Sequence, residues 1–541
     1  MRIEVIETLA SFNQLEENWN AVYDQDPDAQ LFLSFRWLSV WLGQIPSPWI
    51  ILAAKESDSA ETPYLAFLPL RIRFEAQEAR FHNELNMAGN FAADYTGILS
   101  IPTVEHRVIP AFARYIKQMN WARLNLEDIR ISEPRLRLLL AHFPKANFQI
   151  DEIGRMNGNI DNHLCPFAPL PGDWDAYLDI LSANTRQKIR RLLRWLDTND
   201  EYRITHATSE TIDRDLDTLL RFWEIRWKPR KGDRVHTLVR RNRLMLTTSF
   251  KADLLLLPTL WQGDRPLASL AILMDRRKAA MLFYMTGRDE SFDGPPPGMI
   301  LHAHSIRYAV ANGFKEYDFS QGNEPYKYSF GAKERRIRCV AIATKNGLNL
   351  GGKLDRRAIP DALKEATELH QNRKLAQAER CYRQILDVEP RNADAIHRLG
   401  ELLTTRENHI GAKRLFKMLT TIRPDLYKPW LCLAQSCEAL GRYLEAANSY
   451  REVIKLAPEV PDAFTGLGRA LLKLGRMKEF DVALDALLAH DEKRSDRCGR
   501  DSVSYGAPLE SCRGAAEVRL NRTPPPDPPC AGLTAFDQGQ R

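Results

Sequence analysis

The segment EYDFSQGNEPYKY at 316–328 concentrates side chains suited to proton transfer. Asp318 and Glu324 are carboxylates that can take a proton from a nucleophile once partial burial raises their pKa, and Tyr326 and Lys327 can orient a substrate or a leaving group. Pairing of an acid with Lys327 or Arg335, or capping of a turn, is the structural alternative for the same residues. Upstream, the run DGPPPGMI sets Gly294, Gly298, Met299 and Ile300 at the start of a helical pattern. Backbone N–H groups and the helix dipole favour an anion there. Pro295, Pro296 and Pro297 carry no N–H, so the cradle reduces to those four residues, and a rigid polyproline turn before a helix is the plain alternative.

A cationic helix supplies a second kind of chemistry. Arg186, Lys188, Arg190, Arg191 and Arg194 share a segment with the apolar stripe Ile189, Leu192, Leu193 and Leu196, which predicts one buried face and one charged face. Arg190 and Arg191 are the candidates for holding a nucleotide phosphate. Arg226, Lys228, Arg230, Lys231 and Arg234 form a further cluster after the segment LLRFWEIRW. Together the two clusters suit a nucleotide phosphate, an anionic saccharide or a tRNA acceptor end; a solvated charged face is the ordinary alternative.

These residues need a scaffold, and apolar patterning predicts an α/β one. TPYLAFLPLRIR at 62–73, ADLLLLPTL at 252–260, RPLASLAILMD at 265–275 and KAAMLFYMTGR at 278–288 read as buried strands. A loop at 289–298 then leads to a helix over 299–313 closed by Gly313, and to a strand at 316–322. Strand alternation puts Tyr317 and Phe319 on one face and Glu316, Asp318 and Ser320 on the other.

The bulk properties set limits. With 541 residues, and about 100–200 residues per domain, three to four units are expected. A net charge of +6 from 76 basic and 70 acidic side chains does not mark the whole molecule as a polyanion binder. The N-terminus lacks the apolar core of a signal peptide and no run reaches a membrane span, so a cytoplasmic location is expected. The eight cysteines include no CxxC pair, and His302 and His304 diverge on a helix, so no metal site is expected.

Across most of 1–345 the chain resembles the CelD-type (BcsL-type) proteins of the GNAT-like acyltransferase superfamily. The resemblance rests on FLSFRWLSVW at 32–41, PLRIR in the strand at 62–73, Gly89 followed by Asp94-Tyr95, CPFAPLPGDWDAYLDIL at 165–181, NTRQKIRRLLRWL at 184–196, Pro297-Gly298 and DFSQGNEPYKYSFG at 318–331. It implies two GNAT-like halves, 1–165 and 166–346, the second holding the candidate active site. It further implies an acetyl or other acyl-CoA co-substrate and an amine or hydroxyl acceptor, sugar-derived or linked to exopolysaccharide and envelope pathways. Two alternatives accompany it: an aminoacyl-tRNA donor, as in the similar FemAB-type enzymes, and an inactive GNAT-like scaffold.

After a linker expected at 347–360, a 34-residue period sets in. Pro390, Pro424 and Pro458 keep that spacing, as do Ala378, Ala412 and Ala446, and Tyr382, Phe416 and Tyr450. Each small alanine lets two helices approach, the aromatic fills the gap one turn later, and the proline stops the second helix. Leu399-Gly400, Leu433-Ala434 and Leu467-Gly468 occupy matching first-helix positions. These residues resemble the tetratricopeptide (TPR) consensus over 361–490, which implies an all-α solenoid that docks a protein partner in its groove. The tail at 491–541, rich in Arg, Gly, Ser and Pro, is expected to be disordered.

Overall fold

Long continuous apolar runs become strands buried on both faces. In the strand Trp49–Lys55 every residue is buried; Ile51 and Ala53 enter one core cluster while Ile50, Leu52 and Ala54 enter another. The strand Arg265–Asp275 behaves alike, sending Ala271 and Leu273 to one side and Leu270, Ile272 and Met274 to the other. Period-two packing against both layers explains why such strands read as continuous hydrophobic runs. The computed structural model describes residues 1–485 apart from 45–46, 78–79 and 90–91. The tail expected over 491–541 lies outside the described residues. The chain divides into Met1–Ala362 and Leu363–Arg541.

The first unit holds two large sheets. One runs in the order Arg2–Ile6, Trp49–Lys55, Ala66–Gln77, Arg80–Met87, Arg123–Ile129, Arg338–Thr344 and Phe148–Glu152. The other runs Tyr202–His206, Pro258–Gln262, Arg265–Asp275, Ala280–Arg288, Glu316–Asp318, Leu164–Pro169 and Lys333–Arg336. Each contains one parallel pair bridged by a helix. In the first sheet Arg80–Met87 leads through helix Glu105–Ile116 to Arg123–Ile129; in the second Ala280–Arg288 leads through helix Pro297–Ala311 to Glu316–Asp318. The strand Arg338–Thr344 returns to the first sheet after the second is complete, so the halves exchange chain at the C-terminal side and are not two plain sequence blocks.

Local chemistry sets the ends of the elements around 280–320. Helix Pro297–Ala311 starts on proline, whose missing N–H costs nothing in the first turn. It ends where Gly313 takes a φ of +77° and Phe314 donates back to the Ala309 carbonyl at 3.0 Å. The strand expected over 316–322 stops pairing at Asp318, because Ser320 turns to a φ of +61°. Tyr317 and Phe319 enter the core.

The stretch 347–360, expected as a linker, is folded onto the first sheet. Leu354 is buried, the Asn349 side chain accepts from the Asn83 N–H at 2.9 Å, and the Asp355 N–H donates to Asn83 Oδ1 at 2.7 Å. Its glycines make turns there, which explains why composition alone read as slack chain.

The second unit is a run of antiparallel helices: Leu375–Val388, Ala393–Thr405, His409–Ile422, Tyr427–Ala439, Tyr443–Leu456 and Pro461–Lys473. Pro390, Pro424 and Pro458 each follow a helix end by two residues, and Ala378, Ala412 and Ala446 are fully buried. A Cβ on Gly400 would come within 2.6 Å of the Phe416 ring, so the small residue is what admits the aromatic.

Candidate functional site

The parallel pairing of Ala280–Arg288 with Glu316–Asp318 extends only from Ala280 opposite Glu316 to Leu282 opposite Asp318. Beyond that point the longer strand runs on to Arg288 paired with Arg265–Asp275, and the chain after Asp318 is drawn toward Leu164–Pro169. There the Phe319 N–H donates to the Pro166 carbonyl and the Gly322 N–H to the Leu164 carbonyl, both at 2.8 Å. The polar residues of 318–327 therefore gather where two parallel strands part.

Asp318 sits at this point and is almost wholly buried. Its carboxylate accepts from the Tyr95 hydroxyl at 2.8 and 3.0 Å and from the Ser320 N–H at 2.7 Å, with Arg335 Nη1 at 3.4 Å. Arg335 also forks onto Glu316 at 2.9 and 2.8 Å and lies over the Phe167 ring. Burial raises the Asp318 pKa, and the Arg335 charge opposes the rise. So many donors around one carboxylate hold it in place as a fixed acceptor.

The neighbouring carboxylate, Asp94, comes from the other half of the first unit. The Ser320 hydroxyl donates to it, and Gln321 Nε2 donates to the Asp94 carbonyl at 2.6 Å. Burial pushes the Asp94 carboxyl up to about 7, the Ser320 hydrogen bond pulls against that, and the charges of Asp128 and Asp318 add to the rise. Asp94 nevertheless keeps part of its surface accessible. An accessible carboxylate that titrates near neutrality has the properties of a general base.

Lys327 is nearly buried and donates to the carbonyls of Gln321 at 2.7 Å and Gly322 at 2.8 Å while pairing with Glu324 at 2.9 Å. It closes the loop 321–324. Glu324 stands at the N-cap of the short helix Pro325–Tyr328. Tyr326 is 40% exposed and lies 5.8 Å, centroid to centroid, from the His302 ring. Burial pushes its phenol pKa up, as does the Glu324 charge.

The candidate anion cradle is thinner than its sequence. The Met299 and Ile300 N–H groups both donate to the Pro296 carbonyl, at 3.1 and 3.2 Å, and the Ile300 side chain is buried. Gly294 is exposed, with the Phe292 ring lying where its Cβ would stand. Gly298 remains: its N–H belongs to the helix's first turn, which has no intrahelical acceptor, and a Cβ there would meet nothing within 4 Å. Arg190 and Arg191 are exposed on helix Ala183–Asp197, Arg190 reaching Asp175 at 3.5 Å. Among the described residues no hydrogen bond or ion pair joins either arginine to the cradle.

His302 and His304 have separate partners. His302 meets the Tyr317 hydroxyl at 3.0 Å, His304 meets His206 at 3.1 Å, and burial pushes their pKa values down to about 3 and about 4. Among the described residues no group of three or more His, Cys, Asp or Glu side chains is arranged to hold a metal ion, and no helix is long and apolar enough to cross a membrane.

Residues 183–328, which span helix Ala183–Asp197 through Tyr328, match the acetyltransferase (GNAT) domain family. Residues 363–425 and 439–497 match tetratricopeptide repeat families. The chain carries a GNAT-type acetyltransferase domain and TPR repeats. A mouse (Mus musculus) protein, superkiller complex protein 3, is 29% identical over 96 residues, 18% of this chain; the chain spans 6% of that relative's length. The solved structure of FemX aligns over 64% of this chain and 98% of its own at 9% identity with a TM-score of 0.44. MamA aligns over 26% and 81% at 16% identity with a TM-score of 0.25. The GNAT match contains Asp318, Glu324, Tyr326 and Lys327, whereas Asp94 and Tyr95 lie before it.

Proposed function

We propose that this chain is an acyltransferase that moves an acetyl or other acyl group from acyl-CoA to an amine or hydroxyl of a sugar-derived, envelope-related acceptor, with Asp94 as general base. The supporting observation is the Asp94 carboxylate held by the Ser320 hydroxyl where the parallel strands part, in surroundings whose burial pushes its pKa up to about 7. Acyl-CoA, when bound, supplies the thioester whose acyl–sulfur bond breaks. Asp94 takes the proton of the acceptor N–H or O–H as the new acyl bond forms, and that proton finally leaves with the thiol. Asp318, fixed by Tyr95 and Arg335, holds the Ser320 backbone so that its hydroxyl aims Asp94. Lys327 and Glu324 keep the 321–324 loop closed, and Tyr326 flanks the acceptor. Gly298, with Arg190 and Arg191 further out, is the place for the donor's phosphates. The TPR unit docks a partner protein, and the enzyme works in the cytoplasm.

The test is thiol release from acetyl-CoA by the parent and by Asp94→Asn across acceptor amines and sugars. A loss of about 10²–10⁴-fold is expected; equal rates overturn the assignment. A second reading, an aminoacyl-tRNA donor, draws on the Met299 and Ile300 N–H groups being spent inside the helix. RNA-dependent transfer without thiol release supports it. Inactivity with both donors leaves an inert GNAT-like scaffold beside the repeats.

A further inference from the structure

Helices Ile212–Lys231 and Arg234–Lys251 pack together as a hairpin that turns at Gly232, φ +54°. Its base is held tightly. Leu216, Leu219, Leu220, Met245 and Leu246 enter the core. A Cβ on Gly287, in the strand that the first helix packs on, would come within 2.6 Å of Phe222 Cβ, so glycine is what admits the helix so close. The other end of the hairpin lies outside the core: from Trp223 to Arg241, Val235 alone is buried. Each helix thus runs on for about two turns past the residues whose burial explains it.

That projecting end carries charge of one sign. Residues 221–240 hold seven basic and two acidic side chains, a net of +5, against +6 for the whole chain. Six of the basic residues, from Arg221 to Arg240, are exposed, and the seventh, Lys231, is half-buried. Among the described residues none of the seven makes an ion pair, and one of the two acids, Glu224, faces His236 at 3.0 Å. Exposed apolar side chains are set among the cations. Ile225, 60% exposed, stands four residues from Arg221 and three from Lys228, and Leu244, 53% exposed, stands four from Arg240. These steps put each on the same helix face as its basic neighbours. Like charges so close repel one another unless an anionic surface covers them.

We infer that the far end of this hairpin docks the chain on a membrane surface rich in anionic lipid headgroups. The cations meet the headgroup phosphates, while Ile225, Leu244 and the Trp227 ring settle at the boundary with the acyl chains, where aliphatic and tryptophan side chains flanked by Lys and Arg are favoured. Docking of this kind is peripheral and needs no spanning helix. Single-stranded nucleic acid, the other extended polyanion, fits less well. Arg230 at 5.6 Å and Lys231 at 5.1 Å already lie over the Trp227 ring on which a base would stack. Residues 221–240 also contain no Asn, Gln or Ser to read a base edge.

The test is cosedimentation of the full-length chain with phosphatidylcholine vesicles containing about 30% phosphatidylglycerol. The parent is expected to bind them, to lose at least tenfold in affinity as NaCl rises from about 0.05 to 0.5 M, and to ignore pure phosphatidylcholine. Lys228→Gln/Arg230→Gln/Arg234→Gln is expected to bind at least tenfold more weakly, and Ile225→Ser/Leu244→Ser at least threefold more weakly. All five residues are exposed. Thermal melts matching the parent show that both variants fold, and the lipid and salt dependence of the parent tests the inference without either. The inference is overturned if the parent does not bind anionic vesicles, if it binds neutral ones as tightly, or if the triple variant binds like the parent. It is also overturned if Ile225→Ser/Leu244→Ser binds vesicles as the parent does, since a soluble polyanion needs no apolar contact. Short RNA binding through the same cations tenfold more tightly, per phosphate, than the vesicles would assign the hairpin to nucleic acid instead.

Discussion

The Ser320 hydroxyl donates a hydrogen bond to the carboxylate of Asp94, which lies 226 residues earlier in the chain. Ser320 does so from a left-handed backbone conformation, φ +61°, that a non-glycine residue adopts at a cost of about 1–3 kcal/mol. The strand is broken to aim that hydroxyl. Replacing Ser320 with alanine removes the contact that pulls the Asp94 pKa down. The pH–rate midpoint of Ser320→Ala is expected above that of the parent, read from kcat/KM between pH 5 and 9. An unmoved midpoint would show that Asp94 is not the titrating group.

Asp94 also couples stability to pH. Its folded pKa, pushed up to about 7, lies above the ordinary aspartate value of 3.8, so its contribution to stability is fully present below about pH 4. That contribution is lost as pH rises through about 7, where the partly buried carboxyl must ionise. Asp94→Asn cannot ionise. Relative to the parent its melting temperature is expected to be higher at pH 9 than at pH 4.5, with the crossover between about pH 4 and 7. Differential scanning calorimetry at the two pH values checks this; a pH-independent difference contradicts the buried titration.

The roles within 318–327 separate by kinetics. Lys327→Met leaves the Gln321 and Gly322 carbonyls without their buried donor, a loss of about 1–3 kcal/mol readable by urea unfolding. Glu324→Gln keeps the size of the side chain and removes only the ion pair to Lys327. If Glu324 positions the loop, its substitution raises KM for the acceptor and leaves kcat within about threefold, since a proton-transfer group would cost about 10²-fold or more. A collapse of kcat in Glu324→Gln would make Glu324 the base in place of Asp94.

The limits of the sequence are visible in particular residues. Tyr317 and Phe319 were legible as core positions because period-two alternation reports burial directly. The carboxylate partner of Ser320 was not: nothing in spacing joins Asp94 to a residue in the other sheet, and Asp94-Tyr95 stood out only through a family resemblance. Met299 and Ile300 read as free donors because sequence shows that a helix begins, but not which carbonyl takes its first N–H groups. The glycines of 347–360 read as slack, since turn glycines and linker glycines have the same composition.

The repeats hold one periodic feature that residue types conceal. Arg373, Glu407, Gly441 and Gly475 stand 34 apart, and each takes a left-handed φ, +60°, +57°, +69° and +72°. The turn between paired helices requires that conformation in every repeat, but only the last two positions carry the residue that adopts it freely. Glu407→Gly is therefore expected to stabilise the helical unit by about 1 kcal/mol, after the added chain entropy of glycine is set against the relieved strain. Gly441→Ala, which introduces the strain, is expected to destabilise it by a similar amount. Thermal melts of both variants decide the matter, because a conformation of no energetic consequence would give Glu407→Gly the lower melting temperature.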